Sequence, residues 1–135
     1  MPITPFKNEP FIDFSNPSNR KKQEAAIQKV EASLGKEFPI IINGEKIFTK
    51  EKFNSYNPSR SKEVVGVFQE GDAQHANKAM EAALKKFEEW KYVPATKRAE
   101  YLFKAAKVMR RKRFELNAIM MFEVGKTWLE ADGDT

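Results

Sequence analysis

Few residues in this sequence are equipped for chemistry, and their spacing limits what they can do. There is a single histidine, His75, and there is no cysteine. Without thiols the chain has no disulfide framework, no Cys-ligated zinc, no Cys-held iron–sulfur cluster and no thiolate nucleophile. One imidazole leaves no multi-histidine metal site or relay, so His75, near the start of a helical pattern, is expected to be a surface residue. Glu88 and Glu89 are adjacent on a helix and point apart, which disfavours paired acid/base work. The dipeptides Asn43-Gly44, Val65-Gly66 and Glu70-Gly71 match neither a P-loop nor a dinucleotide fingerprint.

Two clusters remain. Arg110-Arg111-Lys112-Arg113, with Lys104 and Lys107 upstream, could contact phosphates on a chain whose formal net charge is +5. Read as the end of a helix, the same run complements the macrodipole and projects into water, and no aromatic residues alternate with it to stack on bases. In Glu123-Val124-Gly125-Lys126 a glycine follows an apolar helix and a lysine follows the glycine. That is a normal helix end, and it also leaves Glu123 able to be held against a cation or a neighbouring turn.

The elements that position these residues can be read from periodicity. Asn16 and Pro17 open a helix whose stripe, Ala26, Ile27, Val30 and Leu34, ends at Gly35. Phe38 to Ile42 and Glu45 to Phe48 are strand-like runs joined by Asn43-Gly44, the dipeptide that best tolerates the positive φ angles of a tight hairpin. Lys52 to Tyr56 and Glu63 to Gln69 are expected to add short strands. Asp72 caps a helix whose apolar face runs Ala76, Ala79, Met80, Ala83, Leu84, Phe87 and Trp90. A second helix is expected from about Pro94 to Arg113 and a third from Phe114 to Gly125. Thr127 to Asp134 could start a fourth. Met120-Met121-Phe122 reads as core packing.

At 135 residues the chain is one domain at most, or one piece of a larger one. The expected organisation is a single partial α+β domain: residues 1–36 an arm and helix, 37–70 the hairpin and short strands, 71–135 a helical segment. Three long apolar helix faces have little strand surface to cover, so the chain reads as incomplete. No apolar run approaches the roughly 20 residues needed to cross a bilayer, and residues 1–14 lack the apolar stretch of a signal peptide. The reading is a cytoplasmic protein without a membrane partner.

In order along the chain, Ile42-Asn43-Gly44-Glu45, Tyr56-Asn57-Pro58 with Glu63-Val64-Val65-Gly66, Phe87-Glu88-Glu89-Trp90, Arg98-Ala99 and Glu123-Val124-Gly125-Lys126 resemble the N-terminal portion of the aldehyde dehydrogenase superfamily. Phe6 to Pro10, Met109 to Arg113 and Gly125 to Asp132 are similar to its bacterial 1-pyrroline-5-carboxylate dehydrogenase branch. The resemblance implies the outer part of an α/β NAD-binding domain. It further implies a parent enzyme, often a homo-oligomer, that oxidises glutamate γ-semialdehyde to glutamate with NAD. In that mechanism a thiolate attacks the aldehyde, hydride passes to the nicotinamide, and a Glu-activated water hydrolyses the thioester. This chain has no cysteine and no segment matching the family's nucleophile, general-base or glycine-turn motifs, so it is expected to hold no catalytic or cofactor-binding residue and to be inactive alone. Its partners would be the remainder of the parent chain and, through that, a small-molecule substrate. The resemblance also implies a structural monovalent cation near Ser55, Tyr56 and Glu123, and an approach of the acidic segment 130–134 to the substrate entrance. The alternative is a stand-alone basic helical module binding nucleic acid or another anion through Lys104 to Arg113.

Overall fold

The computed structural model describes residues 5–135, so the first four residues of the expected arm lie outside it. Helix α1, Pro17–Glu31, starts with proline in its first turn and with Asn16 as cap, whose side-chain oxygen accepts from the Ser18 N–H at 2.9 Å. The chain then leaves the helix through Gly35, which has a φ of 73°. Strand β1, Lys36–Phe38, pairs in parallel with β5, Arg60–Gln69, and β4, Lys52–Asn57, pairs antiparallel on the other side of β5. Their order is β1-β5-β4. Strands β2, Ile40–Ile42, and β3, Glu45–Ile47, form a separate hairpin with φ of 51° at Asn43 and 82° at Gly44. Positive φ at both central residues is the turn that matches strand twist.

The expected first hairpin strand therefore divides at Pro39. Phe38 belongs to the larger sheet, where its ring stacks on Phe68 with centroids 5.2 Å apart, and only residues 40–42 enter the hairpin. The segment 63–69 is no short strand either, because β5 is ten residues long and is the central strand of its sheet.

Helix α2, Ala73–Trp90, has the expected cap. Asp72 accepts from the His75 N–H at 3.0 Å, and the Asp72 backbone N–H donates back to the imidazole Nδ1 at 3.3 Å. His75 thus completes a capping box and keeps only 22% of its side-chain area exposed, which is more enclosed than a plain surface residue. These contacts, the His75 backbone N–H first, hold the Asp72 carboxyl below its ordinary range.

The expected second and third helices are one. Helix α3, Ala95–Val124, runs unbroken for 30 residues, about 45 Å at 1.5 Å per residue. The sequence has neither glycine nor proline between those ends, so a run of charge alone had nothing with which to stop it. It ends at Gly125, left-handed at φ 72°, and α4, Trp128–Asp134, follows after Thr127.

The core is small. Val30 of α1 meets Ala118 and Phe122 of α3, with Ala26, Ile27, Leu34 and Val65 packed around them. Only the C-terminal half of α3 takes part. No residue of α2 is buried; Met80 is 61% and Leu84 59% exposed, and Leu102 on the first half of α3 is 73% exposed. The total exposed area is 10644 Å². A compact monomer of 15.6 kDa is expected to expose about 7,200 Å², so roughly a third of this surface is of the kind that a larger body covers.

Candidate functional site

The most enclosed polar cluster joins three segments distant in sequence. Arg113 on α3 grips Asp132 on α4 with both arms of its guanidinium, Nε to Oδ1 at 2.7 Å and Nη2 to Oδ2 at 2.8 Å. Asn117 donates from Nδ2 to the same Oδ1 at 3.0 Å, and the Ile12 backbone N–H donates to Oδ2 at 2.7 Å. Arg113 also donates to the Pro10 carbonyl at 3.0 Å. The Asp132 side chain is fully buried. Four donors occupy the roughly four acceptor sites of its carboxylate, which leaves none free for a further ligand. It is a clasp that fixes α4 and the arm on α3.

The basic run is explained by the same geometry. It lies in the middle of α3, so the dipole account of its charge fails. Arg110 reaches Glu9 at 2.6 Å, Lys112 faces Glu115 at 3.4 Å, and Arg113 holds Asp132. Three of its four cations are answered by carboxylates.

On α4 the Thr127 backbone N–H donates to Glu130 Oε2 at 2.9 Å, and the Glu130 N–H returns to Thr127 Oγ1 at 3.4 Å. The Thr127 amide, then its hydroxyl, hold the Glu130 carboxyl below its ordinary range. Asp134 pairs with Lys126. The acidic side chains of segment 130–134 are therefore all engaged, Glu130 and Asp134 by nearby residues and Asp132 by distant ones.

Glu123 lies at the last turn of α3, exposed, while Ser55 and Tyr56 lie on β4 where its pairing with β5 slips register. A bulge of this kind re-aims the strand. Beyond it, Asn57 is buried and donates from Nδ2 to Glu63 at 2.6 Å, and its Oδ1 accepts from the Ser59 N–H at 2.9 Å. Asn57 first and Arg60 second hold the Glu63 carboxyl low. The end of α3 sits against this turn, since a Cβ built on Gly125 would stand 3.0 Å from Pro58 Cγ. The segments that carry Ser55, Tyr56 and Glu123 are thus neighbours, although Tyr56 Oη is engaged by Asn54 at 3.2 Å. Among the described residues no group of three or more His, Cys, Asp or Glu side chains could hold a metal ion. Gly125→Ala is expected to cost about 1–2 kcal/mol for the left-handed backbone, with more from the Pro58 contact. Urea unfolding would show it, and an unchanged midpoint would mean that the turn does not seat α3.

Two places where backbone amides could meet a dinucleotide's phosphates, the start of α2 and the Gly66 segment, are already occupied. The first amides of α2 are taken by the Asp72 carboxylate, and Gly66 is wedged between the rings of Phe38 and Phe68, 3.0 Å from each by its would-be Cβ. Neither is free to receive a pyrophosphate. A cleft of about 350 Å³ between α2 and α3 has Trp90 and Tyr101 in its walls, with Lys86 and Lys97 on its rim already paired to Glu89 and Glu100. Among the described residues no helix is long and apolar enough to cross a membrane.

The Aldehyde dehydrogenase family pattern matches residues 47–135, two thirds of the sequence, and the chain belongs to that family. Within it, several relatives that align along nearly all of this chain carry the name 1-pyrroline-5-carboxylate dehydrogenase. The 1-pyrroline-5-carboxylate dehydrogenase of Bacillus pumilus (strain SAFR-032) is 46% identical over 132 residues, covering 98% of this chain and 26% of that protein. The enzyme of the same name from Oceanobacillus iheyensis is 45% identical over 133 residues, with the same shares. A variant of the Thermus thermophilus 1-pyrroline-5-carboxylate dehydrogenase superposes with a TM-score of 0.96 at 41% identity, over 99% of this chain and 26% of that one. The Thermus enzyme with bound NAD gives 0.95 over the same shares. The helix, hairpin, sheet and three later helices form the N-terminal portion of that α/β fold. The chain spans about a quarter of the length of these relatives.

Proposed function

We propose that these 135 residues are the N-terminal quarter of an NAD-dependent 1-pyrroline-5-carboxylate dehydrogenase. The whole enzyme oxidises glutamate γ-semialdehyde to glutamate in proline and arginine breakdown, and this quarter is inert by itself. What carries the reading is the end-to-end likeness to enzymes of that name at 46% identity. The surplus of exposed area on α2 and the first half of α3 supports it, since such a face calls for a larger body.

In this reading NAD supplies the hydride acceptor, and the thiolate and base come from the remaining three quarters. The residues described here scaffold. The Asp132 clasp fixes α4 on α3, and Asn57 with Gly125 seats the end of α3 on the sheet. The 135 residues act as one partial domain in three parts, 1–36, 37–70 and 71–135, and the whole enzyme is a cytoplasmic homo-oligomer. A monovalent cation between the β4 bulge at Ser55 and Tyr56 and the end of α3 at Glu123 would join those two segments through backbone oxygens. An anion-binding role for Lys104 to Arg113 is not favoured, because carboxylates already answer three of the four cations from Arg110 to Arg113.

The test is to supply pyrroline-5-carboxylate and NAD to the isolated chain and to the longer gene product. NADH formation by the longer protein and none by the chain is expected. Turnover by a chain free of contaminating full-length enzyme would overturn the proposal, as would a longer product inert toward this substrate.

A further inference from the structure

We draw no further inference here: the strongest candidate, the apolar face that α2 and the N-terminal half of α3 leave exposed through Met80, Leu84 and Leu102, belongs to the function already proposed, and nothing in the structure shows any other occupant for it.

Discussion

Asp132→Ala is expected to lower the unfolding free energy by about 3–5 kcal/mol, the cost of leaving a buried cation without its partner. The Arg113 side chain retains only 16% of its exposure, so water cannot replace what the carboxylate supplied. Asn117 would lose its acceptor as well, and the Ile12 amide would be left facing a void. Because one carboxylate ties α3, α4 and the arm together, the loss should fall on all three at once. Denaturant unfolding measures it, and proteolysis after residue 12 reports the arm separately. The double change Arg113→Met with Asp132→Leu should recover only the part of the loss due to the stranded charge, since Asn117 and the Ile12 amide still lack their acceptor. A loss below about 1 kcal/mol for Asp132→Ala would mean that the clasp is solvated and of little consequence.

The second large effect depends on context. Leu84 and Phe87 are 59% and 53% exposed on α2. Leu84→Asp combined with Phe87→Asp should therefore change the stability of the 135-residue chain by no more than about 0.5 kcal/mol, as surface substitutions do. If the same face is covered in the longer protein, as the proposed function requires, each substitution there should cost about 1.5–3 kcal/mol in lost burial, with a further penalty for the buried carboxylates. Parallel thermal melts of the two proteins, each with and without the substitutions, decide it. Equal effects in both would show that α2 remains open in the longer protein and that its apolar stripe has another purpose.

Much of this was legible in the residues. Asn16-Pro17, Asp72 and Asn43-Gly44 are local signals, each satisfied by backbone groups within a few positions, and the structure uses all of them as expected. The surplus of apolar helix face over strand could also be read, because it needs only a count of stripes against sheet. What could not be read were arrangements set by distant partners. Arg113 and Asp132 are 19 residues apart, and nothing in the run Arg110 to Arg113 tells which guanidinium will be buried against a carboxylate from another helix. A cluster of cations likewise imitates a helix terminus in the middle of α3, although no glycine or proline stands there. Pro39 divides its run because Phe38 finds Phe68 in a parallel pairing 30 residues later, a contact with no local signature. Asn57 stands out within Tyr56-Asn57-Pro58, but its burial against Glu63 has no signature in the sequence.

The central claim, that this chain is the front of a longer dehydrogenase, is tested most directly by the intact mass of the native gene product in its source cells, measured by mass spectrometry and by immunoblot against this segment. The account predicts a single species of about four times the 15.6 kDa of this chain, containing cysteine. A native product of 15.6 kDa with no cysteine would contradict it.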